Sequence, residues 1–435
     1  MKRIIVALAI LVGVSSLLAA EDKLKVQIGS AFDVAPNVEG TRSQGWASVA
    51  WAEVNKCWLV AWREGFLNED ACDIWCGRVD ADGKPIDPKG IRLTAGKGIV
   101  DEPKVASDGK EWLVVWHDLS NGKDWDVRGV IVSADGKPRG EPFTIAGGEH
   151  NQCVPAVAFA GGNYHVIWAG FSGNGIPGDA GSGYGLWGVR VSCEGKVVGE
   201  PVELVSNKDS QSVYPSAAGG DDVVMVTFRR QGLKGPRMWN RIILDAGTMK
   251  IVKNALPVVR DAKGEKKEFL QLDGQKISRL TVPVAYGGGV FLSVAQRYTV
   301  SPLHQIGLLV VSKDGELKEG DTAEPWAESR PTDHWRYARS AIGFDGVNFV
   351  VVAEGKVAKD GPDRTRLEIR GWVVSPEGKV ICGGKSGFIV SPVEKYEQVL
   401  PAVCGGPKGV SLVVNSELRG VDDLKLVARI IKTHE

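Results

Sequence analysis

The sequence predicts an all-β chain, a seven-bladed β-propeller of four-stranded antiparallel blades closed by an N-terminal strand that completes the last blade. Three observations predict it. An apolar strand with aromatic ends recurs seven times, each recurrence carries four strand signals separated by Gly/Asp turns, and the last copy lacks a fourth strand while the N-terminus offers an unattached one.

The recurrence is clearest in Trp58-Leu-Val-Ala-Trp62, Trp112-Leu-Val-Val-Trp116 and Tyr164-His-Val-Ile-Trp168. Weaker copies stand at Val224–Phe228, Val290–Val294, Asn348–Val352 and Gly409–Val413. Successive starts lie 54, 52, 60, 66, 58 and 61 residues apart. A fixed period of this size marks a repeat architecture, in which each unit buries its faces against its neighbours.

Within a copy, a short small-residue strand comes first: Val105-Ala106, Pro155–Phe159, Pro215–Ala218, Val282–Tyr286, Ser340–Phe344 and Pro401–Cys404. The aromatic strand is second. The third is Asp73–Val79, Asp126–Val132, Gly185–Val191, Met238–Leu244, Gln305–Val311, Glu368–Val374 and Lys425–Ile431. The fourth is Ile91–Thr94, Phe143–Ala146, Val202–Val205, Phe388–Ser391 and, in the fourth copy, Pro257–Arg260. Runs of four to eight β-branched and aromatic residues between turn residues are strand signals. Asp108-Gly109 and Asp345-Gly346 separate strands one and two, and Asp82-Gly83, Asp135-Gly136 and Asp314-Gly315 separate strands three and four. Asp-Gly suits tight two-residue hairpins, so consecutive strands should pair antiparallel. The second strands are apolar on both faces, so each small sheet must be covered on both sides, as radially stacked blades are.

The seventh copy reaches Glu435 just after its third strand. Gly29-Ser-Ala-Phe32-Asp-Val-Ala35 aligns with a fourth strand, Gly140-Glu-Pro-Phe143-Thr-Ile-Ala146. Residues 29–35 are therefore expected to pair with Lys425–Ile431, which removes two open sheet edges and closes the ring.

Residues 1–20 read as a signal peptide: Lys2 and Arg3, an apolar run from Ile4 to Leu18, then Ala19-Ala20. The expected location is secreted or periplasmic, with residues 21–435 forming one propeller domain. Without the leader the charges are 51 basic against 53 acidic, from 53 against 53 in the full chain. That balance excludes the electrostatic footprint of a nucleic-acid binder, and no later segment is apolar enough to span a membrane. Seven cysteines, an odd number, are scattered along the chain. Cys72 and Cys76 read as a local bridge or two buried thiols, because no second ligand pair follows to make a metal site.

The repeat resembles those of uncharacterised secreted bacterial β-propeller proteins. The residues that carry this resemblance are Trp112-Leu-Val-Val-Trp116 followed by Asp126-Val-Arg-Gly129-Val-Ile-Val-Ser-Ala-Asp135-Gly136. It implies a fold and no activity, since propellers host many unrelated functions. The Ser-x-Asp-x-Gly-x-Thr-Trp box of sialidase-like propellers is approached only by Ser133-Ala-Asp135-Gly136 and Ser312-Lys-Asp314-Gly315. There glycine comes one residue early and the closing aromatic is missing, so both read as turns. There is no phosphate loop, nucleophile elbow or His-Glu-x-x-His, and neither a catalytic residue, a metal nor a cofactor is assigned.

What remains is one face, where the loops from strand two to three and from strand four to the next blade emerge together. A Gln precedes strand one at Gln44, Gln152, Gln211 and Gln398, with Glu102 in the corresponding place. These amides either bond the structure around them or form a polar ring at the channel mouth. The same face gathers Arg63, Arg229, Arg230, Arg297, Arg339, His117, His150 and His304, with the carboxylates Glu64, Asp118, Glu354 and Glu397. The most site-like set is Arg279, Arg330, His334, Arg336 and Tyr337, because Arg forks suit carboxylates and sulfates. The leading reading is an exported, non-catalytic binding scaffold for a protein or a surface polysaccharide. The alternative is a lyase or hydrolase of anionic glycans with His117, His334 or Tyr337 as base.

Overall fold

The computed structural model describes residues 24–37, 43–65, 72–94, 98–171, 183–207, 210–232, 237–255, 259–260, 266–267, 282–298, 304–323, 339–358, 365–420 and 423–434. They form seven antiparallel blades arranged in a ring, with no helix among the described residues. The inner strands are Gln44–Ala52, Val100–Ser107, Gln152–Ala160, Ser210–Gly219, Val284–Gly287, Ser340–Phe344 and Glu397–Gly405.

The second strands are buried along almost their whole length because their alternating side chains serve two blades. In blade two, Trp112, Val114 and Trp116 pack against blade one, whereas Leu113 and Val115 pack against blade three. The same division runs around the ring, so that an apolar cluster fills each junction between consecutive blades. The seventh junction joins Leu412, Val414 and Leu426 of blade seven to Trp58, Val60 and Trp62 of blade one, and it closes the circle. Aromatics at the start of the second strand reach into the preceding blade: Trp58 donates to Gly405 O (3.0 Å), Trp112 to Ala50 O (3.2 Å) and Tyr164 to Glu111 O (3.2 Å). On the same rim, Arg78 of blade one donates to Ala134 O in a blade-two turn (2.8 Å), and Arg241 of blade four reaches Gly315 O in a blade-five turn (3.2 Å).

The closure has the expected partner and a different extent. The N-terminal strand is Lys25–Ile28, paired with Ile431–His434, and of residues 29–35 only Phe32 bridges back, to Ala428. The third strand of blade seven runs on to His434, beyond the predicted Ile431, and its far end takes the earlier residues. Gly29 N–H still bonds Ile430 O (2.8 Å), while Val34 and Ala35 tuck into the core between blades seven and one. The alignment with Phe143 is sound: Phe32, Phe143 and Phe388 lie opposite Ala428, Gly129 and Gly371. A Cβ on Gly371 would sit 2.6 Å from the Phe388 ring, so the small residue is what lets the ring lie across the strand.

Three further expectations are corrected. The fourth strand of blade four is Ile251–Ala255 rather than Pro257–Arg260, because the turn held by Asp245 returns the chain to the sheet edge at once; Val259-Arg260 pairs instead with Lys266-Lys267. The turns between strands three and four are not two-residue hairpins. Gly136 N–H bonds Ser133 O and Ser133 N–H bonds Lys137 O, with Gly136 at φ 84°, a three-residue turn closed by a left-handed glycine. The inner strands of blades two, three, four and seven, finally, begin upstream of the predicted starts, for a reason that shapes the candidate site, whereas that of blade six begins at Ser340 as predicted and that of blade five at Val284. All seven cysteines are free thiols, and Cys72 bonds both the N–H and the C=O of Val100 across the first junction.

Candidate functional site

Among the described residues, five inner strands carry a bulge just below the loop-bearing face. Its first residue has positive φ without being glycine: Trp46 (58°), Glu102 (49°), Val154 (52°), Tyr214 (55°) and Leu400 (57°). Such a conformation is costly for a side chain with a Cβ, and most so for a β-branched one. In four of them proline follows: Pro103, Pro155, Pro215 and Pro401. Proline lacks the N–H that a ladder requires and is tolerated at a bulge. The prolines therefore mark a kink inside the strand, whereas Pro155, Pro215 and Pro401 are expected from the sequence to begin it.

The polar groups on this face hold the bulges and the blades. His117, at the end of the second strand of blade two, accepts the Val154 N–H on Nδ1 (3.0 Å), which bonds the strained residue of the next blade. Glu354 does the same from blade six: Oε1 accepts the Leu400 N–H (2.8 Å) and Oε2 the Arg339 N–H (3.1 Å). Arg63 of blade one forms a buried ion pair with Asp101 of blade two at 2.6 Å. Ser416 of blade seven donates to Gln44 O of blade one (3.2 Å). Burial pushes the His117 imidazole below its ordinary range and lifts the Glu354 carboxyl above its own, although Arg339 and the two N–H donors pull the latter back.

The glutamines join this framework. Gln152 Oε1 accepts the Trp168 indole N–H (2.9 Å), and Gln398 Oε1 accepts from Asn415 (2.8 Å). Gln44 donates to Glu64 (3.2 Å), which also takes the Trp62 indole N–H (2.8 Å). Gln211 is buried one position out of step: Ser212, not Gln211, precedes its bulge residue by the two positions that separate Gln44, Gln152 and Gln398 from theirs. Glu102 is itself a bulge residue and so does not correspond to the glutamines. Asp118 accepts the Ser120 N–H (2.7 Å) and lies 3.7 Å from Arg128.

Two contacts at the mouth of the central channel were not legible in the sequence. The Arg339 guanidinium lies 4.5 Å over the Trp46 ring, and that of Arg229 lies 4.9 Å over Tyr214. Both aromatics are half-buried bulge residues. The recurring Xaa-Pro pairs were the signal for their positions; nothing in the sequence paired them with their arginines. The sequence-derived set Arg279, Arg330, His334, Arg336 and Tyr337 lies outside the described residues. Among the described residues, no group of three or more His, Cys, Asp or Glu side chains is arranged to hold a metal ion. No helix among them is long and apolar enough to cross a membrane.

No family model matches the chain, and no curated protein is similar to it in sequence. Among solved structures, a protein of unknown function from Dyadobacter fermentans is similar with a TM-score of 0.52 and 11% identity, over 94% of this chain and 99% of its own. A Trypanosoma rangeli sialidase in complex with 2,3-difluorosialic acid gives a TM-score of 0.49 at 10% identity over 81% of this chain. This chain spans only 56% of that sialidase's length. At such identities the likeness is one of fold, the β-propeller.

Proposed function

We propose that this chain is an exported, non-catalytic binding propeller whose loop-bearing face engages a protein or a surface polysaccharide. One observation carries the reading: among the described residues of that face, His117, Glu354 and the Arg63–Asp101 pair are engaged in fastening blades. His117 is a neutral acceptor for a backbone N–H, Glu354 holds two others, and Arg63 is paired with Asp101. A general base must reach a substrate proton with a free lone pair, and the lone pair of His117 Nδ1 is already taken. The signal-like residues 1–20 support export, and recovery from the periplasm or medium with Glu21 as first residue is the check on it. Arg279, Arg330, His334, Arg336 and Tyr337 precede blades five and six in the sequence, and we assign them to the same proposed face.

The test is a binding screen of the mature protein against immobilised polysaccharides and extracellular proteins, followed by an assay of each bound glycan for new reducing or unsaturated ends. Saturable binding with no new ends is expected. New ends formed at a rate dependent on enzyme concentration overturn the reading in favour of a lyase or hydrolase of anionic glycans.

A further inference from the structure

Building on that reading, we infer that Arg339, held over Trp46 at the channel mouth, is an anion receptor for the carboxylate of an acidic sugar unit in a polysaccharide. The two residues come from blades six and one, and they meet over the inner strand of blade seven. Arg339 immediately precedes the inner strand Ser340–Phe344, and its backbone is pinned from both sides. Its N–H donates to Glu354 Oε2 (3.1 Å) and its C=O accepts the Glu354 N–H (2.9 Å). Its guanidinium is fixed at the other end, 4.5 Å above the indole. Among the described residues no carboxylate forms an ion pair with that guanidinium.

The geometry matters more than the charge. The N–H donors of a guanidinium lie in one plane, and the contact with the indole limits the orientations that plane can take. A carboxylate accepts two parallel N–H bonds in such a plane. Preorganisation of this kind strengthens binding by lowering the ordering cost on association. Trp46 is held at φ 58°, a conformation that tends to persist at ligand-binding positions.

The second half of the ligand follows from Tyr214, the bulge residue of blade four, under Arg229. Blades one and four stand across the ring from each other. A chain laid over the mouth thus meets a half-buried aromatic on either side, with the Arg339 guanidinium at one of them, while Arg229 is buried against Tyr214. Uronic-acid units carry both an apolar ring face and a carboxylate, whereas an acidic peptide offers the carboxylates without flat apolar faces. We therefore assign an acidic polysaccharide.

Affinity electrophoresis and calorimetry of the mature protein with polygalacturonate, alginate and hyaluronate test this, with their carboxyl-reduced forms and polyglutamate as comparisons. Binding of at least one acidic polymer and loss on carboxyl reduction are expected. Arg339→Lys, which keeps the charge and loses the fork, should weaken binding about tenfold or more at unchanged melting temperature. Trp46→Leu should weaken it similarly, and Lys137→Ala, in a turn on the opposite rim, should leave it unchanged. Wild-type affinity in Arg339→Lys, or equal binding of the carboxyl-reduced polymer, overturns the receptor while leaving the binding reading intact. Polyglutamate bound with the same Arg339 dependence overturns the polysaccharide assignment. A wild-type protein that binds only neutral glycans or proteins overturns this inference alone, and one that binds nothing in either screen overturns both.

Discussion

Replacing His117 by Gln separates the role of its lone pair from that of its charge. In the folded protein Nδ1 accepts the Val154 N–H at 3.0 Å, so the ring proton sits on Nε2 and a second proton would set one N–H against another. The ring is buried and edge-on to Trp125 at 4.4 Å. Burial lowers its pKa most; Glu102 and Asp101 raise it, while Lys104 and Arg63 lower it. In the unfolded chain the imidazole titrates near 6.5. Below that pH the unfolded state takes up a proton that the folded state refuses, so stability is full above about 6.5 and falls with pH. The fall reaches about 1.4 kcal/mol per pH unit for one such histidine, until the folded pKa is passed. Gln keeps an amide oxygen for the Val154 N–H and cannot titrate. Urea denaturation followed by tryptophan fluorescence should place the two proteins within about 1 kcal/mol of each other at pH 8. The variant should then gain on the wild type by up to ~1.4 kcal/mol per unit below pH 6.5. His165, Glu354 and Asp126 titrate in both proteins, so they cancel in the difference. A difference that stays constant from pH 8 to 5.5 would refute the assignment of His117 as a neutral clasp.

Trp116 is fully buried between blades one and two, so Trp116→Ala should cost about 3–5 kcal/mol. With an unfolding entropy of about 2.1 cal/mol/K per residue, that lowers the melting temperature of a chain this long by roughly 3–6 °C. Lys137→Ala, at an exposed turn, should shift it by less than about 1 °C, and equal shifts would contradict the blade assignment. A chain that begins at Gly40 lacks the strand Lys25–Ile28 and the buried Val34 and Ala35, and should unfold without cooperativity or aggregate through the uncovered edge. Calorimetry showing a single sharp transition at the full-length temperature would count against closure by this segment. Gln152→Leu should destabilise by about 1–3 kcal/mol, since the Trp168 indole N–H would be left without its acceptor; urea midpoints equal to wild type would exclude that role.

Local pattern was enough for the architecture. The two-sided apolar second strands demanded cover on both faces, and the Gly/Asp turns fixed antiparallel order. The likeness of Phe32 to Phe143 disclosed the closure, because each of these signals is carried by a stretch of only a few residues. Boundaries were less legible. The closing strand moved to Lys25–Ile28 because its partner runs on to His434, a length that depends on pairing and not on composition. The site was hardly legible at all. Arg63, His117, Glu354 and the glutamines have the residue types of a ligand site, and sequence has no means of telling a side chain that meets a ligand from one that meets a neighbouring backbone. The contact of Arg339 with Trp46 joins residues nearly three hundred positions apart, brought together only when blade six and blade one meet over blade seven. Strand identity is a property of short stretches of chain, whereas the mouth of the channel exists only once the ring has closed.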